Sequence, residues 1–180
     1  TGITYTKMYY DMDMNLAPHQ MHPMELISQG KGNTDLISGY TNSSIGISEQ
    51  VTLNVGVNAR VLTLNNSWTL EPRAGIKWQF SPKSSFALAY GLHSRMEKMD
   101  VYFVKTQGTG DRSVNKDLGF TRAHHVMLSY GFKISDNMNM KIEPYFQQLY
   151  DVPVIADSSY SVLNRRDFYV ENALVNRWKV

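Results

Sequence analysis

Residues 51–60 read VTLNVGVNAR, and this run decides the fold class. Its even-numbered positions are polar or glycine, while its odd-numbered positions are all apolar: Val51, Leu53, Val55, Val57 and Ala59. Successive side chains of a β-strand point to opposite faces, so the run predicts a strand with one apolar and one polar face. The pattern recurs along most of the chain, which predicts an all-β protein.

The alternation predicts seven strands, joined by turns that are short at one end and mostly long at the other. The predicted strands are residues 1–14, 35–47, 51–64, 68–80, 85–96, 122–134 and 138–151. The connections 15–34, 97–120 and 152–167 are long. One further connection at the same end of the strands, 65–67, is short. Outer-membrane barrels have short periplasmic turns and longer outer loops. The organisation therefore favours an antiparallel up-and-down transmembrane β-barrel, with residues 152–180 as an outer loop or a weak strand.

Composition excludes several classes of protein. The 180 residues suffice for one domain, and a net charge of +2 with scattered charges gives no reason to expect a nucleic-acid partner. The chain has no cysteine, which excludes disulfides and thiol chemistry. No apolar run reaches the roughly 18 residues that a transmembrane helix needs, whereas a barrel strand needs only about 9–11.

Three runs resemble TonB-dependent outer-membrane receptors, especially those of Bacteroidetes. They are LEPRAGIKWQFSPKSSFALAYGLHS at 70–94, NKDLGFTRAHHVMLSYGF at 115–132 and IEPYFQQLYDVPV at 142–154. They occur in family order. The resemblance implies a 22-stranded barrel filled by an N-terminal plug, with a TonB box that couples uptake to inner-membrane energy. Because the chain shows neither plug nor TonB box, and an odd number of strands, we expect residues 1–180 to be a slice of that larger barrel.

The resemblance also implies the function and its partners. The whole protein would lie in the outer membrane of a Gram-negative bacterium and take up a nutrient such as a siderophore, a cofactor or a glycan. Its partners would be outer-membrane lipid, an unknown small ligand, and TonB, which it would contact through the plug. No cofactor is expected. No set of nucleophile, base and orienting residue occurs, so we expect no enzyme activity.

Two other interpretations remain open on the sequence. One is a small passive porin-like or adhesin-like barrel without energy coupling. The other is a soluble β-sheet binding domain, whose strands would also alternate. The abundance of Gly, Ala, Asn and Ser on the polar faces of the strands suits a crowded barrel lumen better than a solvated outer surface.

Charged and aromatic residues supply the candidate ligand contacts. The alternation places Glu71, Arg73, His93 and Arg95 on the lumen faces of two neighbouring strands, where they form either part of a ligand path or wall ion pairs without a ligand role. The long loop 97–120 adds the candidates Tyr102, Phe103 and Arg112, since loops on a rigid scaffold often carry function.

A metal site has only weak candidates, which are His19, Met21, His22 and Met24. Imidazole and thioether groups suit copper or zinc, but the spacing matches no metal motif. The adjacent pair His124 and His125 is not a chelating site, because neighbouring residues of a strand point to opposite faces.

Overall fold

The computed structural model describes residues 1–16, 25–105, 115–135 and 137–153, which form one curled antiparallel sheet, a half-barrel. Each strand pairs with its neighbour in chain order, except that the last two both pair with β6. The elements are β1 (Gly2–Leu16), β2 (Glu25–Gly46), β3 (Val51–Leu62), β4 (Ser67–Ser81), β5 (Ser84–Arg95), α1 (Met99–Tyr102), β6 (Thr121–Ser135), β7 (Met138–Ile142) and β8 (Tyr145–Tyr150).

The pairing register extends the alternation of residues 51–60 across the sheet. Asn58 lies opposite Tyr40 of β2 and Glu71 of β4, so these three side chains share a face. We call this the inner face. The opposite, outer face carries Val57 and its partner Pro72, and it is almost entirely apolar along β3 and β4.

In the first hairpin, part of the segment 15–34 that was predicted as a loop is β-strand. Residues 25–34 belong to β2 and pair with β1 as far as Leu16, with a bulge between Met14 and Asn15. The prediction was wrong there because apolar residues no longer alternate on the outer side. That side instead carries exposed charges, including the ion pair between Lys31 Nζ and Asp11 Oδ2 at 2.6 Å.

The strand predicted at 138–151 is divided into β7 and β8. Both pair with β6 in one register, since Tyr130 lies opposite Ile142 and Met127 opposite Tyr145. Pro144 lies between them, and proline has no backbone N–H to donate to a ladder. Its carbonyl still accepts a 3.0 Å bond from the Leu128 amide, so the strand direction is kept through the break.

The densest apolar packing lies at one end of the inner face. There the chain after β5 folds back over the sheet as a cap, which we define as residues 96–105 and 115–120. Its buried cluster contacts half-buried methionines of β1 and comprises Leu62, Val101, Tyr102, Phe103, Val104, Leu118 and Phe120. The predicted long loop at 97–120 is thus a folded cap in the part that the structure describes.

Backbone hydrogen bonds fix the cap to β2. The Lys105 amide donates to the Ile27 carbonyl at 2.8 Å, and the Gln29 amide donates to the Phe103 carbonyl at 3.4 Å. The Phe103 ring lies 4.7 Å from the ring of Tyr10, centroid to centroid. A side chain at Gly30 would collide with that ring, because an added Cβ would lie 2.7 Å from Phe103 Cδ1. The cap therefore bridges two hairpins that are distant in sequence.

We expect Phe103→Ala to release the cap. Removing a buried phenylalanine costs about 3–5 kcal/mol in a packed core, and Phe103 is 8% exposed. Hydrogen–deuterium exchange of residues 96–105 should accelerate strongly, while the amides of β3 keep their protection. Lys98→Ala, at an exposed cap position, is the control. Equal exchange in both variants would contradict this packing.

Candidate functional site

A buried carboxylate organises the inner face below the cap. Glu71 of β4 is fully buried. Its Oε2 accepts hydrogen bonds from Asn58 Nδ2 and Arg73 Nη2, both at 3.0 Å, and its Oε1 accepts one from Ser94 Oγ. Arg60 Nε lies 3.5 Å from Oε1. We call Glu71, Asn58, Arg60, Arg73 and Ser94 the charge network.

In the charge network the negative charge of Glu71 is compensated, and one positive charge remains in excess. A buried carboxylate is tolerated only when cations and donors replace its lost hydration. Two guanidinium groups share the one carboxylate, which leaves one positive charge in excess. Arg73 carries much of this excess to the groove side, since its side chain is 42% exposed. The Arg60 side chain is more enclosed, with 30% of its surface exposed, and its Nη1 donates a hydrogen bond to the Ser94 carbonyl at 3.0 Å.

Two histidines from different strands meet beside Arg73. The rings of His93 on β5 and His125 on β6 lie 4.6 Å apart between centroids, with their planes at 52°. The register explains the contact, because His125 lies opposite Gly91, two residues before His93 on the same face. Gly91 itself lies opposite Arg73. The three nitrogen-bearing side chains therefore meet around one glycine.

The glycine is needed for this approach. A Cβ added at Gly91 would lie 2.9 Å from His93 Nε2 and 3.6 Å from Arg73 Cγ. The other cross-strand neighbour of Arg73 is Gly56, where the side chain of Asn42 occupies the space that a Cβ would need. On either side of Arg73, the side chains of His93 and Asn42 therefore lie against the sheet backbone, which only glycine at positions 91 and 56 leaves accessible.

An open groove of about 680 Å³ runs along the inner face on the side away from the cap. Arg73, His93 and His125 stand at its cap-side end. Gly75 and Ala89 pair across its floor, which therefore lacks bulky side chains. Its walls are unlike each other: amide and hydroxyl side chains line one side, and larger apolar groups line the other. These wall residues are Asn42, Ser44, Asn54, Met127 and Tyr145.

The structure brings together three of the predicted ligand-contacting residues and separates the others. Glu71, Arg73 and His93 lie in one neighbourhood, whereas Arg95 is exposed at the end of β5. Tyr102 is fully buried in the cap.

The cap candidates do not face solvent. Tyr102 Oη accepts a hydrogen bond from the Glu97 amide at 3.2 Å, and burial raises the pKa of this phenol to about 12. Phe103 is packed beside it in the same apolar cluster. Both side chains, predicted to contact a ligand from the long loop 97–120, are therefore buried in the cap.

Other predicted sites lie outside the described residues. They are Arg112 and the weak metal candidates His19, Met21, His22 and Met24. Among the residues that the structure describes, no group of three or more His, Cys, Asp or Glu side chains could hold a metal ion.

The sequence pattern missed Asn58, Arg60, Ser94 and His125 as members of this region. Only the register across β3, β4, β5 and β6 makes them neighbours. The prediction that adjacent histidines point apart agrees with the structure. His125 contacts His93 on the inner face, while His124 Nδ1 is bonded to Tyr90 Oη at 2.9 Å and its ring stacks on Tyr150.

Comparison with known proteins adds no family. The chain matches no family model, no curated protein and no solved structure. The resemblance to TonB-dependent receptors thus rests on the three sequence runs quoted above. Among the described residues, none of the helices has the length and apolar character needed to cross a membrane.

We expect Glu71→Ala to destabilise the sheet by about 1–3 kcal/mol, because it leaves the donors of Asn58, Ser94 and two partly buried guanidinium groups without their shared acceptor. Arg73→Ala should cost about 1 kcal/mol or less, since its side chain is 42% exposed and solvent screens its ion pair. Urea unfolding of the lipid-reconstituted protein measures both. Lys77→Ala, at an exposed position of the same strand, is the control. Similar costs for Glu71→Ala and Lys77→Ala would contradict a structural role for the network.

Proposed function

We propose that this chain forms part of the wall of a transmembrane β-barrel, in an outer-membrane receptor that takes up a nutrient. One observation carries the proposal: the outer face exposes large apolar side chains on most strands. Water would disfavour so large a continuous apolar surface, whereas lipid covers it without cost. Members of this surface include Ile37, Ile45, Val55, Leu70, Ile76, Leu88, Val126, Leu128, Ile142 and Phe146.

The apolar surface has the height of a membrane core. On β4 it extends from Trp68 to Trp78, both exposed on the outer face. Ten residues at about 3.3 Å each, tilted by about 40°, span about 25 Å, which is the height of the apolar band of outer-membrane barrels.

Aromatic rings flank this surface near the short turns. Trp78 and Phe80 lie 5.4 Å apart between ring centroids, and Phe80 stacks on Tyr130 at 6.4 Å. Tyr130 in turn lies 5.7 Å from Phe132. Aromatic girdles at the interfaces are typical of membrane barrels.

The far end of the first hairpin has a polar outer face, as expected beyond the lipid. Lys7 lies opposite Asp35, and Asp11 lies opposite Lys31. The long connections of the chain are on this side, where outer loops of a barrel extend from the membrane.

The inner face supports a lumen rather than a packed core. It carries the charge network and the open groove, and its densest apolar packing is confined to the cap. Lumen-facing residues of membrane barrels are polar, and the lumen is either water-filled or plugged. Coupling to TonB is supported by the sequence resemblance alone.

Arginine substitutions on the two faces of the sheet test which face contacts lipid. Val55 pairs with Ala74, about midway between the two tryptophans, and lies on the outer face. We expect Val55→Arg to cost about 2–4 kcal/mol in lipid. Asn54→Arg, on the exposed inner face, should cost much less. Urea unfolding in lipid vesicles measures both variants, and equal costs would contradict the proposed orientation.

Fractionation of native cells tests the membrane location. We expect the protein in the outer-membrane fraction, with a heat-dependent shift in electrophoretic mobility that reports a folded barrel. Formaldehyde crosslinking of the tagged native protein then tests for TonB. A heat-modifiable band without crosslinked TonB would favour a passive barrel, and a detergent-free monomer in the soluble fraction would overturn the membrane proposal.

A further inference from the structure

We propose that the inner groove binds a small organic carboxylate, with its anionic group at Arg73, His93 and His125 and its apolar body along the floor toward Tyr145. The assignment deepens the proposed function and rests on it, because in a membrane barrel a solute reaches the inner face only through an accessible lumen.

The cap-side end of the groove presents hydrogen-bond donors without a matching anion. The carboxylate that contacts Arg73, Glu71, is fully buried and already accepts bonds from three side chains. Arg73 uses its Nη2 group in that network, and its side chain remains 42% exposed toward the groove. A guanidinium group has five N–H donors in a fork that matches a carboxylate.

The histidines extend this donor surface. Each neutral imidazole offers one N–H and each imidazolium offers two, so His93 and His125 add donors at any protonation state. Their rings are held together over Gly91, beside Arg73. Donors from three neighbouring strands thus converge on one place, which suits a single compact anion more than several separate solutes.

The rest of the groove selects for an apolar body. Its floor between Gly75 and Ala89 lacks side chains large enough to fill it. Met127 and Tyr145 form an apolar wall on the β6 and β8 side, and Tyr145 is 78% exposed. A volume of about 680 Å³ falls within the range of small-molecule sites. A flat hydrocarbon with one carboxylate therefore fits better than a bare inorganic anion.

The charge balance favours an anion over a cation. Arg60 and Arg73 together exceed the one charge of Glu71 by one. Lys77, on the inner face of β4, adds a further positive charge near the opposite end of the groove floor. A carboxylate would neutralise the surplus, whereas a cation would meet repulsion.

Binding of 4-(trifluoromethyl)benzoate to the native protein in lipid nanodiscs, followed by ¹⁹F NMR, tests the site. The matched probe is the neutral 4-(trifluoromethyl)benzamide. We expect the benzoate to bind at least about tenfold more tightly than the benzamide. Equal affinity for the two probes, or no binding by folded protein, would overturn the proposal.

Variants locate the binding. Arg73→Gln should weaken benzoate binding at least about tenfold, while Lys77→Gln should change it less than about threefold. Gly91→Ala provides an independent variant, because its methyl group would be too close only to the end of the His93 side chain, with Arg73 Cγ at ordinary contact distance, and should displace the His93 ring without breaking the sheet. It should also weaken binding. If both Arg73→Gln and Gly91→Ala bind like the unsubstituted protein, the site is wrong.

The same samples separate failure of the site from failure of the proposed function. Heat-dependent mobility reports whether each protein is folded in the membrane. Folded, membrane-inserted protein without benzoate binding overturns the site alone. Charge-selective binding by a protein that does not insert into lipid supports the groove and overturns the barrel.

Discussion

One antiparallel hydrogen-bonded ladder, unbroken in order from β1 to β6, is the constraint on which the rest of the structure depends. Because side chains alternate along each strand, the register at any pair determines the faces of the residues on both strands as far as the next bulge. The pairing of Asn58 with Glu71, and of Arg73 with Gly91, therefore decides at once which groups meet inside. Displacing either pair by one residue would exchange the apolar and polar faces.

The inner face is filled in two physically different ways. At the cap end, apolar side chains from a long connection pack against the first hairpin, and the backbone of Phe103 and Lys105 bonds to β2. Below it, polar side chains compensate one buried carboxylate, and still lower the floor is left almost bare by glycine and alanine. The cap and the network fill their part of the inner face with packed side chains, while the floor between Gly75 and Ala89 leaves open space. This gradient from packed to open is the basis for proposing a groove that holds a solute.

The two faces support one proposal together. An apolar outer face about 25 Å high, bounded by tryptophan at both ends of β4, fits lipid, and a positively charged inner face fits a lumen through which an anion passes. Only the three sequence runs support the receptor family. Energy coupling through TonB is therefore a separate proposal from the barrel. The groove proposal concerns residues of β2 to β8 and does not depend on coupling to TonB.

The sequence by itself determined the class of fold and the faces of its strands. Alternation depends on local backbone geometry, so residues 51–60 were sufficient to predict a two-faced strand, and the separation of His124 from His125 followed in the same way. Sequence did not predict that residues 25–34 continue β2, because from Ser28 to Thr34 the residues on both faces of this strand are polar or small and the apolar period disappears. Nor did it predict the burial of Tyr102 and Phe103, since hydrophobicity in a long connection does not reveal which surface it will cover. The charge network and the contact between His93 and His125 were decided by tertiary structure alone, because contacts between strands depend on register, which no single strand contains.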